Sequence, residues 1–596
     1  VFGAAGIALK KPQPEKTAGE GETVGRGDLV HVAAREPLGG RETRTDTIFN
    51  RRKRGQVMKL RTRIFLSFLV AFFLVADLGW CLPPAPYTDK EMTVALDLML
   101  RNVKSSDRMI RKDHLGRTYE QGAVVASPSF KGSPPWFTGE HDYERIWLRD
   151  SALAISALAD VYRESVPGKN SLPTPATLWG IERHDIPSLF KSYLIFTDTI
   201  QNAVGAGLCD QGNSDYAHAV FSVNAEVERW SSQTDGPALR ALSIMKIAEL
   251  FNFTSDGVTL YVPMKNCQDM GILKRDLCYV AKSYDVAKHD LWEETPGLFF
   301  FNSMVQYEAM NRGAMFAANA KDTEFQNEMA GVRRRLEGML GRYWRSNACQ
   351  GYFARWMGDG CPITRPQCPP SGDESCLDIS TILAFVHTDA HIFPLDGGMA
   401  LQNADSVRKG FCFTSCTDGE RQPMVRYKID NGQNGVCAYL GRYPADCFDG
   451  AQDEASNPWV LSNHAMAQFY YKLARTILQK GGINIGPDVH PFYAFVLSPE
   501  LYAALIAPQR DGRLVQDDPD IMRQVAEGLA VEGDRLVMAV RALLPPPKEV
   551  NPGASWLPEQ INGESGQPWS AQDLTWSYAS LLTAMLERKK LEAPLQ

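Results

Sequence analysis

Three short stretches of this 596-residue chain set carboxylates where they could do chemistry, and positioned carboxylates are the means of general acid–base chemistry. In Asp290-Leu291-Trp292-Glu293-Glu294 two of them follow a Trp directly before the Pro296-Gly297 break. On a helix, neighbouring side chains point about 100° apart, so Glu293 and Glu294 would not share one task, and one could be an acid and the other a binder. A Glu against an indole face is poorly solvated when ionised, which keeps it protonated near about pH 5–6, as a general acid must be. The plain alternative is an exposed acidic helix end. Trp147-Leu148-Arg149-Asp150 sets an aromatic, a cation and an anion at the start of an apolar helix. Guanidinium donates and carboxylate accepts, which together can fix vicinal hydroxyls, while Trp and Tyr rings stack on the apolar face of a pyranose. The alternative there is a capping ion pair beside a core Trp. Glu559, in Pro558-Glu559-Gln560, lies in a loop before a helix. A loop carboxylate can stay solvated and ionised, as a general base requires; a surface Glu is the alternative.

The elements that must position these groups are helical. Leu148, Ala152, Ile155, Ala159 and Tyr162 step by 4, 3, 4 and 3 along one face, and Met466, Phe469, Leu473 and Ile477 form a second stripe. Leu574, Tyr578, Leu581 and Met585 form a third, two-residue alternation is scarce, and about a dozen helical segments are expected. Long loops rich in Pro, Gly and Cys, 346–380 and 410–458, exceed what a connector needs and are candidates for function. With no internal repeat and no Ser/Thr/Pro-rich linker, residues 82–596 read as one large catalytic domain.

Composition narrows the partners. With 44% hydrophobic, 22% charged and 10% aromatic residues, the chain can bury a large core. A net charge of -7 and the lack of a basic half argue against nucleic acid. Residues 1–57 carry few large apolar side chains and read as a disordered extension that could be missing from the mature protein. Met58, Lys59, Arg61 and Arg63 precede the apolar run Ile64 to Ala76, so 58–81 reads as a signal peptide, or as a membrane anchor if left uncleaved. Of the 12 cysteines, Cys349, Cys361, Cys368 and Cys376 form one group and Cys412, Cys416, Cys437 and Cys447 another. Their wide, irregular spacing favours disulfides over zinc, which fits the secretory pathway, as does the sequon Asn252-Phe253-Thr254.

Seven motifs in order carry a resemblance: Trp147-Leu148-Arg149-Asp150-Ser151, Asp235-Gly236-Pro237-Ala238-Leu239-Arg240, Asp290 to Glu294, Gly441-Arg442-Tyr443-Pro444, Asn457-Pro458-Trp459, Glu559-Gln560 and Asp573-Leu574-Thr575-Trp576-Ser577-Tyr578. They are similar to those of the glucoamylases of glycoside hydrolase family fifteen. The resemblance implies an all-α fold, an (α/α)6 barrel with a pocket at one end. It implies an inverting exo-hydrolase that frees β-D-glucose from the non-reducing ends of α-1,4-glucans such as starch or glycogen, more slowly at α-1,6 links. Carried over residue by residue, Glu293 is the acid, Glu559 the base and Glu294 a binder on the leaving-group side. Arg149 and Asp150 hold the non-reducing glucose, Trp147 and Trp292 wall the pocket, and Arg442 with Asp446 reaches the next sugar. Tyr143 would lie beside the developing oxocarbenium ion, Leu291 and Trp576 would line the innermost subsite, and Trp230 would stack on sugar.

The chain departs from the family pattern at Ala445, where the family usually carries Glu, and around Trp230, which is spaced differently. No starch-binding module follows, which argues for soluble or branched glucans. Other readings of the same barrel are a trehalase or an isomaltose- or dextran-active glucosidase, and a noncatalytic regulatory protein. No cofactor or metal is expected, since acid–base hydrolysis needs none; His387 and His391, four apart, are read as structural.

Overall fold

The computed structural model describes residues 82–104, 112–133, 142–166, 175–204, 218–251, 258–263, 269–346, 351–358, 376–389, 392–412, 427, 429, 438–444, 446, 448, 456–507, 514–516, 518–551 and 553–592. The extension 1–57, the apolar segment 58–81, the sequon, Ala445, His391 and seven of the cysteines named above or at Cys81 lie outside these residues. So does the side chain of Cys412, whereas Cys376 is disulfide-bonded.

Fourteen α-helices are present among the described residues. They are α1 (Asp89–Arg101), α2 (Leu148–Ser165), α3 (Ile186–Ala203), α4 (Asp235–Leu250), α5 (Ile272–Ser283), α6 (Phe300–Asn319) and α7 (Thr323–Leu340). After them come α8 (Ser380–His387), α9 (Gly398–Cys412), α10 (Val460–Lys480), the short α11 (His490–Val496) and α12 (Pro499–Ile506), α13 (Pro519–Leu543) and α14 (Thr575–Lys589). The even-numbered α2, α4, α6, α8, α10 and α14 pack each on the next, and α14 packs back on α2, so six helices close a ring. Around them lie α1, α3, α5, α7, α9 and α13, with α1 against α14, α7 against α6 and α13 against α10. This is the (α/α)6 barrel expected from the sequence. Strand structure among the described residues is limited to five antiparallel ribbons of two or three residues per strand.

The two layers differ in sequence because they differ in surroundings. In α7 the buried positions are Phe325, Met329, Val332, Leu336 and Leu340, a single stripe facing inward with charged residues opposite. In α6 every residue from Phe300 to Met310 is buried, because an inner helix meets protein on all sides. The stripes read from sequence fall on α2, α10 and α14, with Leu574 as the residue preceding the last helix. Helix ends are set locally: Thr88 and Glu91 cap α1 reciprocally, and Asp518 accepts from two backbone N–H groups at the start of α13. Contact between layers is close enough that a Cβ at Gly533 of α13 would lie 2.6 Å from the Tyr471 ring of α10. No helix of the described residues is long and apolar enough to cross a membrane.

Candidate active site

Each inner helix begins at the same end of the ring, and the segment leading into it delivers site residues. Ile146–Trp147 pairs with Val220–Phe221 and runs directly into α2, whose first turn carries Arg149 and Asp150. An acidic side chain in that turn suits the positive end of the helix dipole. The pairing of Lys288–His289 with Pro296–Gly297 makes 290–295 a hairpin turn and not the helix end considered from sequence. Within it, Glu293 adopts a left-handed backbone with φ 67°, and Glu293 N donates to Asp290 O at 3.0 Å. Glu559 precedes a ribbon of Gln560–Ile561 with Pro568–Trp569, which folds Ser570 back toward it before α14 starts.

These segments enclose a cavity of about 450 Å³. Its walls include Tyr143, Trp147, Arg149, Asp150, Trp230, Leu291, Trp292, Glu293, Arg442, Glu559 and Trp576, residues drawn from across more than 400 positions of chain. Glu294 and Asp446 are not in the wall. Asp446 grips Arg442 bidentately at 2.6 and 2.8 Å, and Glu294 forms an ion pair with Arg442 at 2.9 Å and accepts from the Tyr443 hydroxyl at 2.7 Å. Both carboxylates therefore orient the guanidinium that faces the cavity.

The two candidate catalytic carboxylates have opposite surroundings. Glu293 has a side chain 20% exposed. Trp147 Nε1 donates to one of its oxygens at 2.9 Å and Trp230 Nε1 to the other, with Arg149 at 3.5 Å. Indole N–H edges meet it, whereas the sequence suggested an indole face. Trp230 stands edge-on to Trp147, with ring centroids 5.6 Å apart, so its polar edge is committed to holding Glu293.

Glu559 is 5% exposed, the reverse of the solvated loop carboxylate read from sequence. Burial pushes its pKa up to about 7, while hydrogen bonds from Ser570 and Tyr143 pull it down. Tyr143 reaches it at 3.1 Å, and the Tyr143 ring lies 5.7 Å from Trp147, which links the two carboxylates through one aromatic pair. A base acts only when ionised. A folded-state pKa above the ordinary 4.5 means that activity is lost as pH falls through that raised value, so the acidic limb of kcat/KM lies above that of a solvent-exposed Glu. Ser570→Ala, by removing a donor that favours the carboxylate, should move this limb further up, by about 0.7 pH unit for about 1 kcal/mol. A pH–rate profile on maltose checks it, and an unmoved or lowered limb refutes it.

Arg149 donates to Gln233 at 2.6 Å and to Asp235 at 3.2 Å, and it lies over the Trp576 ring at 5.3 Å. Its orientation is thus fixed by groups behind the wall. Burial pushes Asp150 up to about 6, with Arg149 pulling it down and Glu293 pushing it up.

Sequence reading missed a buried charge network beneath the turn. Arg355 lies 3.3 Å from Asp378, 3.4 Å from Glu294 and 3.9 Å from Asp290, and Trp292 Nε1 donates to Asp378 at 3.0 Å. Burial pushes Asp290 up to about 7, against the pull of Arg355. Nothing local to Arg355 or Asp378 signals this role; both fall in or beside the long 346–380 loop singled out as functional. Arg355→Leu leaves Asp378 and Asp290 buried without their cation, while Glu294 keeps Arg442, and should cost about 3–5 kcal/mol of stability. Urea unfolding measures it, and a loss below about 1 kcal/mol would mean that the network tolerates the vacancy.

The sequence matches the family model of glycosyl hydrolases family 15 over residues 93–586. It is 26% identical over 484 residues to a glucoamylase of Blastobotrys adeninivorans, covering 79% of this chain and 68% of that one. To glucoamylase GLU1 of Saccharomycopsis fibuligera it is 25% identical over 520 residues, 85% of this chain and 91% of the relative. A glucoamylase from Saccharomycopsis fibuligera solved at atomic resolution superposes with a TM-score of 0.63 at 23% identity, over 86% of this chain and 98% of that one, a likeness of fold. With the match spanning most of the closed helical ring and the segments that feed its pocket, the chain belongs to glycosyl hydrolases family 15.

Proposed function

We propose that the chain is a glucan 1,4-α-glucosidase, an exo-acting hydrolase that inverts configuration and releases β-D-glucose from the non-reducing ends of α-1,4-glucans. The observation that carries the reading is one aromatic-walled cavity lined by both Glu293 and Glu559, carboxylates 266 positions apart in sequence. In this mechanism Glu293 gives its proton to the glycosidic oxygen as the C1–O bond breaks. A water attacks C1 from the other face and passes its proton to Glu559, so the new C1–OH is β and the leaving chain departs with Glu293's proton. Solvent returns each carboxyl to its starting state. Inversion needs the two groups roughly 6.5–9.5 Å apart, to admit that water. The Tyr143 hydroxyl is held by Glu559 and its ring faces the cavity, a placement suited to a developing oxocarbenium ion. Arg149 and Asp150 would hold the terminal glucose, and Arg442, stacked over Trp292 at 5.5 Å, the next residue.

An anomer-resolved proton NMR time course with maltotriose tests the reading. β-Glucose appearing first supports it, and α-glucose appearing first means a retaining mechanism and overturns it. The signal-like segment 58–81 and the disulfide-bonded Cys376 further support a secreted or endomembrane-lumen protein with residues 82–596 as the mature catalytic domain. N-terminal sequencing would show the start near Leu82, and a mature chain beginning at Val1 would refute it.

A further inference from the structure

Tyr143 reaches Glu559 at 3.1 Å and its ring lines the cavity, yet residues 142–145 belong to neither a helix nor a strand. Its main chain is tied to a neighbouring segment: Tyr143 N donates to Ser129 O at 2.9 Å, and Ser127 N donates to Tyr143 O at 3.1 Å. Both residues that flank Tyr143 meet one further side chain, His114. Its Nδ1 lies 2.7 Å from Glu144 Oε2 and its Nε2 3.5 Å from Asp142 Oδ2. His114 N donates to the same Glu144 oxygen at 2.9 Å, and the Tyr119 hydroxyl donates to the other at 2.6 Å. Glu144 is 2% exposed. A carboxylate this deeply buried stays where its donors are, because leaving them would cost the hydrogen bonds that offset its desolvation.

His114 is itself firmly seated. It belongs to the tight turn 113–117, in which Asp113 N donates to Arg117 O at 2.9 Å and Asp113 Oδ1 accepts from Leu115 N at 3.0 Å and from Arg117 N at 2.7 Å. Gly116, with φ 81°, supplies the left-handed position that closes the turn. The imidazole lies flat on the Phe130 ring, with centroids 4.4 Å apart and planes 2° from parallel, and Arg117 ties the turn to Glu228 at 2.7 Å.

We propose that His114 is a positioning residue for the hydrolysis: by holding Asp142 and Glu144 it sets the angle at which Tyr143 meets Glu559 and the reacting sugar carbon. His114 is not in the cavity wall, so it acts through Tyr143. The proposal rests on the reading of Tyr143 given above. Stabilisation of a charge that exists only in the transition state depends steeply on placement, so a loosened Tyr143 lowers turnover more than it lowers affinity for the sugar.

His114→Phe keeps a ring against Phe130 and removes both nitrogens. It should lower kcat on maltose by about 10- to 100-fold, with KM within about twofold of the parent. His114→Asn, whose amide nitrogen can stand near the place of Nδ1, should restore most of that loss. A role confined to supporting the fold would lower the melting temperature and leave the kcat of folded protein unchanged. In Tyr143→Leu, which removes the ring and hydroxyl being placed, His114→Phe should cost no more than about a further twofold, the range within which uncoupled effects are resolved. Crystals of the unaltered chain with the iminosugar 1-deoxynojirimycin should show Tyr143 against the bound ring and His114 Nδ1 in hydrogen-bond reach of Glu144, a readout that needs no variant to fold. An unchanged kcat in folded His114→Phe, equal losses in His114→Phe and His114→Asn, the full His114→Phe loss persisting in Tyr143→Leu, or a His114 ring turned away from Glu144 in the complex would each overturn the proposal while leaving the reading of Tyr143 standing. An unaltered kcat in Tyr143→Leu would instead overturn that reading, and this proposal with it.

Discussion

Glu293→Gln is expected to lower kcat on maltose by about 10³–10⁴-fold, roughly 4–5.5 kcal/mol of transition-state stabilisation, with little change in affinity for a non-hydrolysed maltoside. An amide cannot protonate the departing glycosidic oxygen, whereas the residues that hold sugar are untouched. The local geometry adds a condition. The two Glu293 oxygens accept from Trp147 and Trp230, one indole each. An amide has a single oxygen, so one indole N–H loses its acceptor at a cost of about 1–3 kcal/mol in stability. Kinetics should therefore be compared on protein shown to be folded. α-Glucosyl fluoride separates the roles, because fluoride leaves without a proton and its hydrolysis should fall far less than that of maltose. Equal losses on both substrates would mean that Glu293 acts other than as an acid.

Glu559→Gln should lower kcat by about 10²–10⁴-fold on both substrates, because the water attacking C1 needs a base whichever group leaves. The contrast between substrates is what distinguishes the two carboxylates. A smaller variant, Glu559→Ala, opens space where the base stood. There azide should attack C1 of α-glucosyl fluoride as fluoride departs, giving β-glucosyl azide. An α-azide product, or unaltered turnover in Glu559→Gln, would place the base elsewhere. Ser570 and Tyr143 donate to Glu559 in the unaltered chain, and their hydroxyls would bond equally well to an amide oxygen, so this variant should stay close to the parent in stability.

Much of the molecule is legible in sequence because its determinants are local. The 3- and 4-residue steps of α2, α10 and α14 follow from helical geometry. Trp147, Arg149, Asp150, Trp292 and Glu293 could be singled out because each stands in the chain beside residues of complementary chemical type. Residue type and order also carry the family resemblance, down to the positions of both carboxylates.

What depends on long-range packing was not legible. Whether a carboxylate is dry or wet depends on what the fold lays over it. Glu559 sits in an irregular segment, as read, yet Tyr143 and the returning Ser570 cover it. Glu293 follows a Trp in sequence, yet its partners are two other tryptophans, 63 and 146 positions earlier. The network of Arg355, Asp378, Asp290 and Glu294 joins three segments with no shared motif. The sequence by itself determined the helical stripes of α2, α10 and α14 and which carboxylates are candidates for acid–base chemistry, since these follow from side-chain type and spacing of a few residues. Tertiary structure alone decided solvation, hydrogen-bond partners and charge pairing, because desolvation and Coulomb energies depend on distances in space between groups far apart along the chain.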